Sequence, residues 1–270
     1  MIPQTCVVFA VPSGAHAPKL AFWQSTMAAQ AEMMSRGITQ VWISTGGDPY
    51  LDKVRDRLAS QALRNYPQMT HFFFIDDDVG FPPEAAIDLI NAPFDVCAGV
   101  YPKKHDDPQF PVNLLMDETT MKLVERDGFY RASSVPTGFL CIKAHVLRAQ
   151  AEKAPKYRDL DGSVNWSIFR TGFRPEPRTD GTDGQYWGED PDWCRRYIEA
   201  GGEIWVKPDI EFTHTGTKTW RGTLMDRVRT TNEGTPAWNP DGMLAFFPPG
   251  AEIPEGWTTR KPEPAALAAD

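Results

Sequence analysis

His71–Pro83, HFFFIDDDVGFPP, is the stretch whose reading decides the fold. Phe72, Phe73, Phe74 and Ile75 form an apolar run able to bury a strand on both faces, and it gives way without transition to Asp76, Asp77 and Asp78. A packed core does not accommodate three ionised carboxylates, so the acids belong at the strand's end, facing water, a cation or a ligand. Val79 to Pro83 reads as a turn, with Gly80 permissive and Pro82-Pro83 suited to opening a helix near Glu84. Asp76 and Asp78 are separated by one residue, so in extended backbone they project to one side and Asp77 to the other. Two hard oxygen ligands on one side suit Mg²⁺ or Mn²⁺, which keep positions open for substrate phosphates. A helix cap or a solvated turn is the bland use of the same acids.

Outward from this stretch the chain alternates strands and helices. Upstream, Thr5 to Val11 is a buried strand, with Pro12-Ser13-Gly14 turning at its carboxyl end. The helix from Lys19 to about Ser35 carries Leu20, Trp23, Met27 and Met34 near a helical period, and Arg36-Gly37 ends it. Gln40 to Ser44 is a second strand, so the opening is a nucleotide-binding α/β unit. TGGD (Thr45–Asp48) has no third glycine at the spacing of a dinucleotide fingerprint. The next helix, LDKVRDRLASQALRNY, aligns Leu51, Val54, Leu58, Ala62 and Leu63, and a solvated face is expected for Arg55, Asp56 and Arg57.

Downstream, a helix from Glu84 to Ile90 leads to a buried strand, Asp95 to Val100, with a basic exit at Tyr101-Pro102-Lys103-Lys104-His105. A small β region spans 106–134, and Val135–Phe139 leads into the buried strand Leu140–Ile142 and a helix from Ala144 to Ala154. Residues 155–186 are polar and aperiodic, as in a functional loop or lid. Tyr186–Trp193 joins acids and aromatics before a helix running to Ala200, Glu203–Val206 is a strand, and Ile210–Gly216 closes the domain. The division expected is a domain over 1–216 and an extension over 217–270 with a frayed end, RKPEPAALAAD.

At 270 residues the chain can bury a substantial core, and its 41% hydrophobic content is ordinary for a globular protein. It has no run of about 18 apolar residues to cross a membrane. The N-terminus lacks the basic start of a signal peptide, so a cytoplasmic location is expected. Cys6, Cys97, Cys141 and Cys194 are too scattered for a zinc site or redox pair and read as buried thiols. A net charge of −8 disfavours broad, nonspecific nucleic-acid binding.

His214, between two threonines and before Gly216, is a metal-ligand candidate, and Glu189-Asp190 sits where a helix dipole favours carboxylates. Taken in order, the strand ending in DDD, the apolar strand after PTGF, WGEDPDWCRRYIEAGG and the late HTG resemble the GT-A type of nucleotide-sugar-dependent glycosyltransferase, over roughly residues 5 to 216. VRDRLASQAL (Val54–Leu63) is similar to the arginine-containing helix of several such families, which show Arg-Asn where this chain has Arg55-Asp56.

The resemblance implies a mixed, mostly parallel central sheet flanked by helices in a Rossmann-like α/β fold. It implies that Asp76 and Asp78 bind metal and donor ribose-diphosphate, that His214 completes the metal site, and that Arg55, Pro12 and Gly138 contribute to the donor pocket. The implied cofactor is Mn²⁺ or Mg²⁺, with a nucleoside diphosphate sugar as donor and a glycan or other hydroxyl acceptor as partner. Negative charge develops on the leaving diphosphate, and a divalent ion neutralises it, with Lys103, Lys104, Lys218 or Arg221 as possible helpers. Asp190 is the candidate general base, Glu189 beside it orients hydroxyls, and Trp187 and Trp193 offer faces for sugar rings. A phosphohydrolase of the haloacid dehalogenase type also places acids after an apolar strand, but it usually needs Thr or Val where Gly80 stands. A module that binds nucleotide or glycan without turnover, and a transferase acting on a modified nucleic-acid base, are the alternatives.

Overall fold

The computed structural model describes residues 4–14, 17–107, 109–176, 181–241 and 243–261. The chain opens with β1 (Cys6–Ser13), α1 (Leu20–Ser35), β2 (Thr39–Gly46), α2 (Leu51–Asn65) and β3 (His71–Ile75). A helix in each crossover lets successive strands run the same way, and β1 lies parallel to both β2 and β3. Then come β4 (Val79–Gly80), α3 (Pro83–Ile90) and β5 (Val96–Gly99), followed by the short strands β6 (Asn113–Leu114), β7 (Met116–Asp117), β8 (Lys122–Leu123) and β9 (Glu125–Arg126). β10 (Phe129–Ser134), β11 (Phe139–Lys143) and α4 (Ala144–Lys153) lead to two hairpins, β12 (Lys156–Arg158) with β13 (Val164–Trp166), and β14 (Gly172–Pro175) with β15 (Gly184–Trp187). The chain continues through α5 (Glu189–Glu199), β16 (Ile204–Lys207), β17 (Phe212–Thr215), β18 (Thr219–Gly222), α6 (Met225–Glu233), β19 (Thr235–Trp238) and β20 (Leu244–Phe247).

The central sheet has the order β2-β1-β3-β11-β5-β16-β10-β6, with β9 on β10. β11 runs antiparallel between β3 and β5, and β5 is parallel to β16. This is the expected mixed, mostly parallel sheet flanked by helices. β3 shows why the sheet is buried on both faces: Phe72 and Phe74 join the core under α2, α4 and α5, whereas Phe73 and Ile75 join the core under α1 and α3. All four cysteines are buried free thiols in or beside these cores. No helix among the described residues is long and apolar enough to cross a membrane.

Several elements differ from their expected form. In α1 the buried residues are Phe22, Thr26, Ala29 and Met33, whereas Leu20, Trp23, Met27 and Met34 are 72%, 51%, 67% and 72% exposed. The helix carries two apolar stripes one residue out of phase, and periodicity alone does not say which one the sheet covers. Arg55 and Asp56, expected on a solvated face, are buried, because their partners lie far away in sequence. Asp56 Oδ1 accepts the backbone N–H groups of Ile168 and Phe169 at 2.8 and 2.7 Å, which ties the chain before β14 to α2.

Residues 155–186 form two hairpins rather than an aperiodic loop, with 177–180 of the expected lid outside the described residues. Beyond Gly216, where no pattern was expected, β18 pairs with β17, and Leu224 and Val228 pack into the core around α6. Of the end expected to fray, 262–270 lies outside the described residues.

Gly99 ends β5 where the backbone runs against two aromatic rings. A Cβ there would lie 2.3 Å from Phe212 Cζ and 2.9 Å from Phe139 Cδ1. Both rings are fully buried and cannot swing into solvent. Gly99→Ala should therefore overpack the core and cost about 1–3 kcal/mol. Urea denaturation reads this as a lowered midpoint, and an unchanged midpoint would mean that the rings yield freely.

Candidate active site

Four strands of the sheet deliver residues from their carboxyl ends to one open pocket of about 540 Å³: Pro12 and Gly14 from β1, Gly47 and Asp48 from β2, Asp76, Asp77 and Asp78 from β3, and Tyr101 from β5. The carboxyl edge is where ligands bind in open α/β sheets. Leu51 at the start of α2 and His214 of β17 complete the lining.

The three acids are held apart by different partners. Asp76 Oδ2 accepts the Tyr101 hydroxyl at 3.0 Å, and its Oδ1 accepts Arg55 Nη2 at 3.3 Å. Gly138 backs Asp76, since a Cβ there would fall 2.1 Å from Asp76 Oδ2, and its carbonyl accepts the Asp76 N–H at 2.9 Å. Asp77 turns to Ser13, whose hydroxyl donates to it at 2.5 Å. Burial pushes the Asp77 carboxyl up from its ordinary value, the Ser13 bond opposes that, and the neighbouring Asp78 and Asp76 add to it. Asp78 meets Lys104 Nζ at 2.5 Å and His214 Nε2 at 3.4 Å. Burial works against its charge, but His214 and Lys104 more than offset this and hold the carboxyl below the usual range.

His214 reaches Asp78 through β4. Val79–Gly80, expected as a turn, pairs as a two-residue strand with β17 in a register that sets His214 opposite Val79, and the Thr215 N–H donates to the Asp78 carbonyl at 2.9 Å. His214 Nδ1 lies 2.8 Å from the Pro102 carbonyl. A carbonyl only accepts, so Nδ1 carries a proton and donates it there, and Nε2 is the ring atom that faces Asp78. Among the described residues no group of three or more His, Cys, Asp or Glu is gathered as a metal cluster. The His214 Nε2 edge and the Asp78 carboxylate are a two-ligand set of the kind a divalent ion uses when substrate oxygens supply the rest.

The helix of Glu189 and Asp190 is joined to this pocket by Arg55. Its guanidinium is 1% exposed and lies 3.3 Å from Asp76, 3.5 Å from Glu189 and 3.9 Å from Asp190. Its Nε and Nη1 are buried without a hydrogen bond, so it acts on the acids mainly through charge. It meets the acid cluster and is absent from the lining of the pocket. Burial disfavours the charge on Arg55, but Asp76, Asp190 and Glu189 outweigh it and raise its pKa.

Asp190 Oδ1 accepts the Thr137 hydroxyl at 2.5 Å. Burial pushes its carboxyl up to about 6, with Glu189 and Asp76 adding to the rise and Arg55 and Thr137 opposing it. The side chain nevertheless keeps 26% of its surface accessible and borders a second cleft of about 610 Å³ together with Lys103, Ser134, Pro136 and Arg227. A carboxyl that titrates near neutrality and faces a cleft is equipped to move a proton.

Other sequence candidates lie elsewhere. Trp193 is fully buried, stacked between Phe169 and Tyr197, so it has no face for a sugar. Trp187 has Arg195 over its ring at 5.6 Å. Lys218 pairs with Asp106, and Arg221 pairs with Glu211 at 2.9 Å. Sequence reading missed Ser13, Tyr101 and Thr137. Of these only Tyr101 carried a signal, a polar aromatic placed directly after an apolar strand and before proline.

Fold and site together define an α/β protein with an acidic pocket at the carboxyl edge of its sheet and a near-neutral carboxyl beside it. No family model and no curated protein matches the chain. Among solved structures it is similar to the catalytic domain of Drosophila β1,4-galactosyltransferase 7, in complex with xylobiose, at a TM-score of 0.43 and 10% identity over 76% of this chain. It is also similar to a glycosyltransferase involved in glycosylation of the major capsid of PBCV-1, at a TM-score of 0.31 and 12% identity over 53% of this chain. The chain spans 66% and 63% of those two, just under two thirds of each.

The electrostatics of Asp190 fix the sign of a stability test. A carboxyl raised from its ordinary range to about 6 makes the folded state bind more protons than the unfolded chain between those values. Its contribution to stability therefore falls as pH rises toward 6. Asp190→Asn keeps an oxygen for Thr137 and removes the charge. It should raise the thermal midpoint at pH ~8 and leave it nearly unchanged at pH ~5, where the wild-type carboxyl is already mostly protonated. Equal shifts at the two pH values would contradict the raised pKa.

Proposed function

We propose that this protein is a metal-dependent glycosyltransferase that moves a sugar from a nucleoside diphosphate sugar to a hydroxyl of a glycan acceptor. The observation that carries this reading is the link, through Arg55, between Asp76 of the acidic pocket, which Asp78 and His214 also line, and a carboxyl poised near pH 6, Asp190. Glycosyl transfer needs both ends of that arrangement. Charge builds on the leaving diphosphate while a proton is lost by the attacking hydroxyl.

The acidic pocket at the ends of β1, β2 and β3 receives the donor in this reading, with Pro12 and Leu51 as its apolar walls. Asp78 and His214, with Asp76 alongside, would hold Mn²⁺ or Mg²⁺, which neutralises diphosphate charge when bound. Asp76 is oriented by Tyr101 and Arg55, which leave its remaining lone pairs for a ribose hydroxyl or the ion. Lys104, paired with Asp78, is close enough to exchange that carboxylate for a phosphate oxygen.

Asp190 takes the acceptor proton in the cleft it borders. Thr137 and Arg55 favour its ionised form, and Glu189 on the same helix turn shares Arg55 with it. Assay of nucleoside diphosphate released from a panel of nucleotide sugars with Mn²⁺ tests the reading directly. Tight nucleotide binding without release from any donor would instead describe a binding module.

Two variants test the parts. Asp78→Ala should abolish Mn²⁺-dependent affinity for the donor nucleotide while leaving the fold intact, and calorimetric titration that finds the affinity unchanged would sink the metal assignment. A base must be ionised to act, so turnover should rise as pH passes through about 6. Thr137→Val removes a bond to the ionised form and should move that rising limb to higher pH. A limb that stays in place would remove Asp190 from the role of base.

A further inference from the structure

The two clefts that meet at the acid cluster have opposite character. Asp48, Asp76, Asp77 and Asp78 line the donor-side pocket, and no lysine or arginine is among its lining residues. The cleft bordered by Asp190 holds Lys103 and Arg227, and among the described residues Asp190 is its only acid. Lys103 forms no ion pair among the described residues, although its neighbour Lys104 is paired with Asp78. Arg227 Nη1 donates to the carbonyls of Phe110 and Val112, both at 3.3 Å, and meets no carboxylate among the described residues. That bonding holds the guanidinium of this exposed residue against the wall of the cleft.

Both side chains are exposed and line the same cleft as Asp190, so an anionic group entering the cleft would meet two cations that no carboxylate among the described residues engages. The remaining walls supply what a sugar ring uses. Phe110, Pro111 and Pro136 are apolar, and Asn113 and Ser134 can hydrogen-bond to hydroxyls. We propose that the acceptor is an anionic saccharide, whose carboxylate or phosphate substituent is held by Lys103 and Arg227 while a ring hydroxyl is presented to Asp190. This rests on the glycosyltransferase reading and names its substrate class. A nucleic-acid acceptor fits less well, because a polyphosphate backbone is held by an extended basic track and this cleft offers only two cations.

Titration at low salt with methyl glucuronide, glucose phosphate and neutral methyl glucoside tests the proposal without requiring turnover. Both anionic sugars should bind about tenfold more tightly than the neutral one. The better of the two identifies the substituent. Lys103→Glu should erase the preference, Lys103→Arg should keep it, and Mn²⁺-dependent binding of nucleoside diphosphate should be unaltered in both. Lys103 is exposed, so neither change threatens the core. Equal binding of neutral and anionic sugars, or a preference that survives Lys103→Glu, overturns the proposal. A single-stranded oligonucleotide that outcompetes both sugars, and loses affinity in Lys103→Glu, replaces the saccharide with nucleic acid. If the anionic sugars bind as expected but no nucleotide sugar is bound or turned over, the glycosyltransferase reading fails while the anion site stands.

Discussion

A single buried guanidinium organises the site. Arg55 lies on α2, Asp76 at the end of β3, and Glu189 and Asp190 at the start of α5, so one side chain joins three elements from separate parts of the chain. Neither partner set is tolerable alone. A guanidinium 1% exposed has lost its hydration, and three carboxylates around an apolar position would repel one another. The cluster costs desolvation whichever way it is assembled, so its role is to specify geometry rather than to add net stability.

The imbalance inside that cluster also gives it chemistry. One positive charge faces three acids, so full ionisation would leave excess negative charge in a partly buried space. A proton is retained at Asp190, whose charge burial disfavours first and Glu189 and Asp76 disfavour further. A carboxyl near 6 is therefore first a consequence of burial, to which Glu189 and Asp76 add and which the shared arginine only partly offsets. Thr137 then fixes its orientation through a side chain that is itself fully buried.

The legibility of the sequence followed the range of the interactions. β3 and its acids were readable because an apolar run beside three carboxylates has few structural solutions, but strand alternation did not sort the acids, since β3 ends at Ile75, Asp77 and Asp78 lie in a turn, and all three line one pocket. The helices were readable by period, but the buried face of α1 was not, since Leu20, Trp23, Met27 and Met34 compete with Phe22, Thr26, Ala29 and Met33 for the same surface. Arg55 and Asp56 looked like a solvated pair because nothing local reveals that Glu189 or Ile168 will cover them. The 155–186 stretch misled because hairpin strands of three or four residues are too short to show alternation.

His214 shows how a short local element can place a distant ligand. β4 is two residues long and contributes little stability, yet its pairing with β17 sets the register that puts imidazole and Asp78 within 3.4 Å. A slip of one residue would turn His214 to the other face of its strand. Pro102, after β5, then orients the ring by accepting from Nδ1, and Tyr101, the residue before it, fixes Asp76. The same exit segment continues into Lys103, which lines the Asp190 cleft, and Lys104, which pairs with Asp78. The segment after β5 thus orients the imidazole and Asp76, pairs with Asp78 and lends a cation to the Asp190 cleft, which makes β5 as important to the site as the acidic strand.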